Sequence, residues 1–310
     1  MGTVKGICTS EVRGTAKASV SSARFIENFG IEKDAHGGNW HRQISMLSYE
    51  KIEEFKAAGA QVEPGSFGEN LIVEGFELNS LPVGARLKSG DVILEITQLG
   101  KECHSRCNIY EQMGDCIMPR EGIFAKVISG GQLKVGDEIE LLPMDSNRPL
   151  TAAVVTLSDK GFAGEREDKS GKVLAEELEK AGYEIVETLL LPDEQGVIEK
   201  ELIRLSDRRQ VNLIMTTGGT GFSPRDCTPE ATLAVATRNA PGIAEAIRAG
   251  SMEITKRAML SRGASVIRNQ TLIVNLPGSP KAVKESLDIV LDQLEHGIKI
   301  LTGRDGECAR

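Results

Sequence analysis

The sequence is poor in aromatic residues, which make up only 4% of its 310 residues. Hydrophobic residues as a group reach 40%, so ordinary packed cores can form, built mainly from Val, Ile, Leu and Ala. No apolar run is long enough to cross a bilayer, and residues 1–10 lack the charged and then apolar segments of a secretion signal. We therefore expect a cytoplasmic protein with no membrane partner.

Clustered positive charge is also missing. The formal net charge is −8 and the chain contains no block of Lys and Arg, which argues against nucleic acid as a partner. An anionic ligand would need local basic side chains or backbone N–H groups, because the overall field repels it. Of the six cysteines, three lie between positions 103 and 116 and the others are scattered, unlike the framework of a small secreted protein. This pattern indicates a reducing compartment, where a special cysteine is more often reactive than structural.

The length favours two domains, and the hydrophobic pattern changes near the middle of the chain. The first part has short β-type runs separated by Gly- and Pro-containing turns, with one helix expected at 48–58. The expected strands are 4–8, 44–47, 70–73, 86–88, 92–97, 122–128 and 138–142. These features predict a mostly-β barrel or sandwich over residues 1–143. Residues 144–150 are polar and proline-flanked, and are predicted to be a linker.

The second part, residues 151–310, alternates apolar strand patterns with helix patterns. The expected strands are 152–157, 184–191, 211–216, 265–268 and 271–275, and the expected helices are 170–181, 194–205, 229–237, 243–255 and 280–301. Such alternation predicts an α/β domain with a mostly parallel sheet.

A glycine-rich sequence, TTGGTG at 216–221, directly follows a predicted buried strand. Ligands bind at the carboxyl ends of strands in open α/β sheets. Glycines there let the backbone approach a ligand closely, and successive N–H groups can hold a phosphate. A plain glycine turn is the alternative interpretation.

Two carboxylates follow strand ends in the same part of the chain. Asp193 lies in PDE (192–194) and Asp226 lies in RDCTPE (225–230). At one edge of the sheet they could hold Mg²⁺, which prefers oxygen ligands. Asp193 could instead cap the following helix, and Thr228 with Pro229 resembles an N-cap and N1 pair.

A further loop, LPGSP at 276–280, closes a strand and opens the last helix. Ser279 and the helix N-terminus form a second place where an anion could bind. A simple strand–helix turn is the alternative.

In their order and context, these four motifs resemble the molybdopterin adenylyltransferase family, the MogA/MoaB-like domains. LSD at 157–159 is also similar, and the resemblance spans about 151–301. It implies a three-layer α/β fold and a homotrimer formed through this domain. It also implies Mg²⁺- and ATP-dependent adenylylation of molybdopterin with release of pyrophosphate, without a covalent nucleophile and independent of pyridoxal phosphate.

The same resemblance implies site residues. Asp193 and Asp226 match the essential carboxylates and would hold Mg²⁺. The implied ligand-binding residues are Ser158, Asp159, Thr217, Gly218, Gly219, Thr220, Gly221, Thr228, Pro277, Gly278 and Ser279. Ser158 and Asp159 are assigned to the nucleotide side, and Cys227 is expected to be a bystander. The 161–169 loop is longer than in the simplest members, and we interpret it as a solvated loop rather than a lid.

The first part carries another set of motifs: GIEKDAH (30–36), HRQIS (41–45), PGSFGENL (64–71), LPVG (81–84) and the strand leading to Cys103. Their order resembles the MOSC family, over about residues 2–142. The resemblance implies a β-barrel-like domain with a pterin-binding cleft. It also implies that one cysteine after this strand carries sulfur or ligates molybdenum. Cys103 matches by position, although it follows Glu102 where the family often has proline.

Several assignments in this part stay open. Cys107 and Cys116 lie near Cys103, and Lys101, His104 and Arg106 could lower the pKa of a thiol. The spacing differs from that of a zinc ribbon, so zinc, an iron–sulfur cluster and inert buried thiols are alternatives to a functional cysteine. His36, His41 and Arg42 could bind a phosphate or pterin, or the histidines could be structural.

The two resemblances together predict a fused enzyme of molybdenum-cofactor synthesis. The second part would adenylylate molybdopterin, and the first would bind pterin or cofactor and handle sulfur or molybdenum through Cys103. Linking two domains raises the effective concentration of one domain's product near the other domain, which helps consecutive steps. A non-catalytic carrier is the main alternative and a cofactor-sensing regulator the weaker one. Molybdoenzymes or other cofactor-synthesis proteins would be the protein partners.

Overall fold

The computed structural model describes residues 1–101, 108–145 and 147–304. The chain divides into two compact units after Asp145. Each unit has hydrophobic clusters built from its own residues. The two-domain layout predicted from the sequence is confirmed.

The first unit is mostly β. Its strands are β1 (Gly2–Thr9), β2 (Ala18–Val20), β3 (Ser22–Ile26), β4 (Gly30–Ile31), β5 (Ile44–Ser48), β6 (Leu71–Glu74), β7 (Arg86–Ser89), β8 (Val92–Leu99), β9 (Ile123–Ser129), β10 (Gly131–Lys134) and β11 (Glu138–Leu141). Its helices are α1 (Tyr49–Ala57), α2 (Asn108–Met113) and α3 (Met118–Glu121), with a 3₁₀ turn at Leu78–Ser80.

The main sheet of this unit closes into a barrel. The strand order is β11-β7-β8-β9-β5-β6-β1, and β1 also pairs with β11, which joins the two ends. Closure removes the unpaired strand edges that an open sheet would expose. The barrel alternative of the sequence prediction is therefore confirmed. The short strands β2, β3, β4 and β10 were not predicted, because so few residues carry too little alternation to be recognised.

The second unit alternates strands and helices. Its strands are β12 (Thr151–Leu157), β13 (Glu184–Leu191), β14 (Leu213–Thr217), β15 (Arg238–Asn239), β16 (Ser265–Arg268) and β17 (Thr271–Leu276). Its helices are α4 (Asp159–Phe162), α5 (Lys169–Lys180), α6 (Gln195–Ile203), α7 (Thr228–Ala234), α8 (Pro241–Ile254) and α9 (Pro280–Leu301), with a π-helical turn at Arg204–Arg208 and a 3₁₀ turn at Lys256–Leu260.

The sheet of this unit has the order β13-β12-β14-β17-β16-β15. The strands β13, β12, β14 and β17 are parallel, so their carboxyl ends lie at one edge. Alternate residues of β12 enter two different clusters: Ala152 and Val154 pack with α5 and α9, whereas Ala153 and Val155 pack with α6 and α7. The chain thus leaves β12 and β14 toward opposite faces, which creates a crevice between these two strands.

Local differences from the prediction have simple causes. The expected helix 194–205 gives way to the π-helical turn after Ile203, and the short helix α4 overlaps the start of the loop expected at 161–169. Four residues are too few to show a helical period. None of the helices in the described ranges combines the length and apolarity that a membrane crossing requires.

Candidate functional site

A cleft of about 770 Å³ opens at the carboxyl ends of the parallel strands in the second unit. Eight of the residues predicted from the motifs line it: Ser158, Asp193, Thr217, Gly218, Gly219, Asp226, Gly278 and Ser279. Thr217 is the last residue of β14, and the other seven come from the segments after β12, β13, β14 and β17. Residues far apart in sequence meet here because parallel strands bring their carboxyl ends together.

The glycine-rich loop needs glycine for steric reasons. Gly218 and Gly219 have φ of 103° and 62°, in the left-handed region. A Cβ on Gly219 would overlap the Thr228 hydroxyl and lie 2.8 Å from Asp193 Oδ1. A Cβ on Gly218 would overlap the Leu157 carbonyl oxygen. The loop is therefore more than a plain turn, because its backbone lies directly against Asp193.

Thr228 stabilises the glycine-rich loop through a hydrogen bond. Its buried hydroxyl donates to the Gly218 carbonyl at 2.9 Å. The helix α7 begins at Thr228 itself, with Cys227 in the N-cap position and no side-chain capping bond. The expectation that Thr228 is the N-cap is wrong, since its hydroxyl points to the loop instead.

Asp193 is the most unusual carboxyl of the cleft. Its Oδ2 accepts a hydrogen bond from the Asp159 N–H at 3.0 Å, and its backbone N–H donates to Asp159 Oδ1 at 3.0 Å. Its Oδ1 is buried and accepts no hydrogen bond from the part of the chain that the structure describes. Burial raises the pKa of Asp193, and the charges of Asp159 and Asp226 raise it further. A cation beside Oδ1 would therefore be stabilised.

The structure excludes a helix-capping role for Asp193. The helix α6 begins at Gln195, and Glu194 occupies the N-cap position. The Asp193 carboxylate turns away from that helix, toward the Asp159 amide.

Asp226 faces the cleft from the other side of the glycine-rich loop. Its Oδ2 accepts from the Ser223 N–H at 3.2 Å and would lie 2.9 Å from a Cβ on Gly221. Arg262 braces the segment, donating to the Asp226 carbonyl at 2.8 Å and to the Gly221 carbonyl at 2.6 Å. No motif singles out Arg262, because its partners lie up to 41 residues away.

Two helix N-termini also reach the cleft. At α5, Asp168 Oδ1 accepts from the Gly171 N–H at 2.8 Å, and at α9 the Ser279 hydroxyl accepts from the Ala282 N–H at 3.2 Å. Both capping residues line the cleft. The remaining N–H groups and the helix dipoles favour anions at these two places.

The loop that precedes α5 contributes more than expected. Arg166, Glu167, Asp168 and Lys169 line the cleft. Residues 162–167 are exposed, so the segment is solvated as expected, and it also borders the cleft. Arg166 and Lys169 are the basic side chains among the lining residues. The buried Thr156 hydroxyl, which also lines the cleft, has no hydrogen-bond partner in the described structure. The sequence of residues 166–169 is charged and contains no known motif, so it could not show that these residues line the cleft.

Five predicted ligand-binding residues lie outside the cleft lining: Asp159, Thr220, Gly221, Thr228 and Pro277. Several of these residues form hydrogen bonds or ion pairs with other residues of the protein. The Thr220 carbonyl accepts from the Arg262 N–H, and the Pro277 carbonyl accepts from the Thr217 hydroxyl at 2.7 Å. Asp159 forms a bidentate ion pair with Arg225. In this structure these residues hold the loops that carry the lining residues.

Cys227 is partly buried near Asp193 and Asp226. Burial raises the pKa of its thiol, and the charge of Asp193 adds to the effect. A neutral thiol is a poor nucleophile. This chemistry agrees with the expected bystander role.

In the first unit, the PGSFGENL motif surrounds a buried ionic network. The side chains of Lys17 and Asp34 are 2% and 1% exposed, with Nζ and Oδ2 3.2 Å apart. Asn70 donates to Asp34 at 3.1 Å. Glu69, fully buried, accepts from the N–H groups of Gly65 and Phe67. The motif thus fixes a turn over the Lys17–Asp34 pair.

The predicted ligand residues of this unit have protein partners. His36 Nδ1 lies 3.1 Å from Asp34 Oδ1, and burial together with Lys17 lowers the pKa of His36, which disfavours a cationic ring. His41 Nε2 lies 3.0 Å from Gln98 Oε1. The Arg42 guanidinium lies 5.1 Å from the centre of the Trp40 ring. These contacts favour structural roles for the two histidines.

Cys103 and Cys107, with His104 and Arg106, lie outside the described residues. Cys116 is buried. Among the described residues, no group of three or more His, Cys, Asp or Glu side chains is arranged to hold a metal ion. Within the described ranges, the structure therefore gives no support to a metal site built by side chains alone.

Models of two different protein families match the two units of the chain. A family model described as a probable molybdopterin binding domain matches residues 153–296, and a MOSC domain model matches residues 32–140. The molybdopterin adenylyltransferase of Escherichia coli K12 is 46% identical over 156 residues, covering 48% of this chain and 80% of that protein. The Haemophilus influenzae protein of the same name is 47% identical over 146 residues, covering 46% and 74%. The solved molybdopterin biosynthesis enzyme MoaB of Thermus thermophilus shares 45% identity, covers 50% of this chain and 97% of its own, and has a TM-score of 0.48.

Proposed function

Because the chain belongs through its second unit to the molybdopterin adenylyltransferase family, we propose that this unit adenylylates molybdopterin with ATP. An oxygen of the terminal phosphate of molybdopterin attacks the α-phosphorus of ATP. The bond from that phosphorus to the bridging oxygen of the β-phosphate breaks, and pyrophosphate leaves. Atoms and charge balance without a covalent intermediate on the protein.

The observation that carries the proposal is the arrangement of Asp193 and Asp226 around the glycine-rich loop. Both carboxyls line the cleft, and the loop backbone lies against Asp193 at Gly219 and against Asp226 at Gly221, because neither glycine has a side chain. Two carboxylates beside a phosphate-binding loop would repel an anionic ligand unless a cation accompanied it. This feature favours a metal-dependent enzyme over a simple carrier.

The residues of the cleft fit Mg²⁺. Asp193 Oδ1 is buried without a hydrogen-bond partner in the described structure, and the pKa of Asp193 is raised by burial and by neighbouring negative charge. Mg²⁺ is commonly bound through one or two carboxylates together with substrate phosphates, so a third side chain is not required. Asp193 and Asp226 would hold it, and when bound it would neutralise charge on the phosphates.

The remaining lining residues would position the two anionic substrates. The N-termini of α5 and α9 offer N–H groups from two sides, and Arg166 and Lys169 add positive charge at the α5 side. Holding the two reactants in line converts a reaction between two molecules into one within a complex. The protein's contribution is thus positioning and charge neutralisation.

The proposal also covers the layers of the second domain, the domain bounds and the oligomeric state. The two hydrophobic clusters on opposite faces of the sheet support the three-layer description. We place the functional domains at 1–143 and 151–310, joined by a linker at 144–150, and infer a homotrimer formed through the second domain. The family resemblance supports the trimer.

We infer that the MOSC unit binds pterin or finished cofactor and handles sulfur or molybdenum through Cys103. Arg42 is the best-supported ligand residue, because guanidinium groups suit phosphates and its ring stacking fixes the side chain. Molybdoenzymes or other cofactor-synthesis proteins would receive the product.

The decisive test is chemical. Purified protein is incubated with molybdopterin, Mg²⁺ and ATP, and adenylylated pterin and pyrophosphate are measured by mass spectrometry. We expect product that depends on Mg²⁺ and disappears in Asp193→Asn and Asp226→Asn, while pterin binding is largely kept. Asp288→Asn, which changes an exposed carboxyl on α9, is the matched control and should be fully active.

Other outcomes have clear meanings. Pterin that is bound but unchanged, with ATP intact, would favour the carrier function. Full activity in both the Asp193 and Asp226 variants would show that the site is assigned wrongly.

A further inference from the structure

Asp159 and Asp193 are tied together by a reciprocal pair of hydrogen bonds. The N–H of each residue donates to the carboxylate of the other, both at 3.0 Å. The two residues follow the neighbouring parallel strands β12 and β13, so the pair joins two adjacent strand ends. The Asp159 N–H is the hydrogen-bond donor that orients Asp193, because the other carboxylate oxygen has no partner in the described structure.

A third loop is attached to the same pair. Arg225 donates from Nε and Nη2 to the two Asp159 oxygens, both at 2.9 Å. Arg225 immediately precedes Asp226, whose backbone N–H donates to the Ser223 carbonyl at 2.9 Å. The bidentate pair therefore links the loop of Asp226 to the turn that orients Asp193.

Neither member of this ion pair lines the cleft. Their side chains are 42% and 56% exposed for Asp159 and Arg225. We propose that Asp159 and Arg225 form a surface clamp that positions the Asp193 and Asp226 carboxylates relative to each other. The clamp rests on the proposed function, and it reassigns Asp159 from nucleotide ligand to positioning residue.

The effects of losing the clamp on stability and on reaction rate distinguish a positioning role from a stabilising one. Exposed ion pairs contribute little to stability because solvent screens them, so loss of the clamp should leave the fold intact. A displacement of a reacting group by about 1 Å can nevertheless reduce a rate on the order of 100-fold. A clamp can thus affect the reaction strongly while it affects unfolding weakly.

The first unit offers a matched control. Arg120 forms a bidentate pair with Asp115 at 2.9 and 2.8 Å, with exposures of 57% and 50%. Arg120→Ala removes the same kind of contact at a place remote in sequence from the clamp. Any effect common to Arg120→Ala and Arg225→Ala is therefore a general effect of losing a surface arginine.

The experiment compares Arg225→Ala, Arg225→Lys, Asp159→Asn and the double variant in the full-length protein. Thermal unfolding, kcat and KM for ATP, and the Mg²⁺ concentration for half-maximal rate are measured. Mn²⁺ binding to the protein in the absence of ATP and pterin is followed by the EPR signal of free Mn²⁺. This last readout does not depend on turnover.

We expect Arg225→Ala to unfold normally, to lose on the order of 10- to 100-fold in kcat/KM, and to bind Mn²⁺ more weakly. Lysine should restore only part of the rate, because it cannot form the bidentate contact. The double variant should be no worse than Arg225→Ala, since both single changes remove one interaction. Asp159→Asn should also impair the enzyme, which it would not do if Arg225 contacted substrate directly.

Wild-type kinetics and Mn²⁺ affinity in Arg225→Ala would overturn the clamp, as would additive losses in the double variant. A wild-type protein that makes no adenylylated pterin would instead overturn the proposed function. The Mn²⁺ comparison between Arg225→Ala and Arg120→Ala decides the clamp in either case.

Discussion

Gly219 is the residue where a single added carbon should matter most. Its backbone has φ of 62°, and a Cβ would meet the Thr228 hydroxyl and Asp193 Oδ1. We expect Gly219→Ala to lower kcat/KM for adenylylation roughly 100-fold, because the loop and Asp193 must separate. Initial-rate kinetics at saturating Mg²⁺ measure the change.

Gly164 provides the control for backbone strain. It has φ of 77°, but a Cβ there would lie in open space. Gly164→Ala should cost about as much conformational strain, on the order of 1 kcal/mol, and leave the rate nearly unchanged. Equal losses in the two alanine variants would mean that strain, rather than the contact with Asp193, explains the effect.

The buried pair of Lys17 and Asp34 predicts a pH dependence of stability in the first unit. Burial raises the pKa of Asp34, but hydrogen bonds from the backbone N–H groups of His36 and Ser10, together with the charge of Lys17, bring it below its usual value. A lowered pKa contributes stability above the unfolded value of about 4, and this contribution is lost as the pH falls through the folded pKa. Asp34→Asn should therefore destabilise near neutral pH and matter less in acid.

The expected loss for Asp34→Asn is about 3–5 kcal/mol near pH 7, since it leaves a buried lysine without its partner. Urea unfolding at a series of pH values measures it. Asp115→Asn, which breaks the exposed pair with Arg120, is the control and should have little effect on stability, because solvent screens exposed ion pairs. A loss for Asp34→Asn that grows on acidification would contradict the sign of the pKa change.

At the residue scale, the sequence predicted the lining residues that belong to short motifs. Asp193, Asp226, Gly218 and Ser279 were found because strand ends with glycines or carboxylates mark a binding edge. The contacts that hold them were not predictable. Arg225 reaches Asp159 across 66 positions, and a polar loop gives no sign that it turns inward at Asp168.

At the scale of elements, α9 offers a way to separate capping from ligand binding. The Ser279 hydroxyl accepts from the Ala282 N–H and lies on the cleft lining. Ser279→Asp keeps the cap and adds negative charge, so stability should be retained while KM for ATP or pterin rises. Ser279→Ala should lose about 1 kcal/mol of stability with a smaller change in KM. Thermal unfolding and initial rates distinguish the two.

The outcome has a direct interpretation. An aspartate variant with unchanged KM for both substrates would remove Ser279 from the ligand site and leave it as a helix cap. Asp288→Asn, at an exposed position farther along α9, shows the effect of altering charge outside the cap.

Long elements were the easiest to predict. The bounds expected for β13 and α9 agree with the structure. For α9, 22 helical residues give a clear period. The sequence did not reveal α4 or the end of α6 at a π-helical turn, since tertiary contacts decide such short features. Arg204 at that turn pairs with Glu187 of β13, a contact set by the fold.

At the scale of the whole molecule, the change of hydrophobic pattern predicted two domains, and the chain divides after Asp145. The closed barrel could only be predicted as one of two alternatives. A barrel and a sandwich share the same alternation, and the pairing of β1 with β11 that closes the sheet joins residues separated by most of the unit.

The division into units leads to a prediction about separated halves. Each unit's hydrophobic clusters contain its own residues, so residues 1–145 and 146–310 should each fold alone. The second half by itself should adenylylate molybdopterin with kcat within about twofold of the full chain, because every lining residue of the cleft belongs to it. The first half should show no adenylylation. Circular dichroism establishes folding, and the mass-spectrometric assay measures the product.

Separation also tests why the two units are joined. If both bind the same pterin, linkage raises the local concentration of product near the first unit. Transfer of adenylylated pterin to the first unit should then be slower in a mixture of halves than in the full chain, and the difference should shrink as protein concentration rises. Equal transfer at every concentration would mean that the fusion gives no channelling advantage. A second half that folds but is inactive would show that the first unit takes part in catalysis itself.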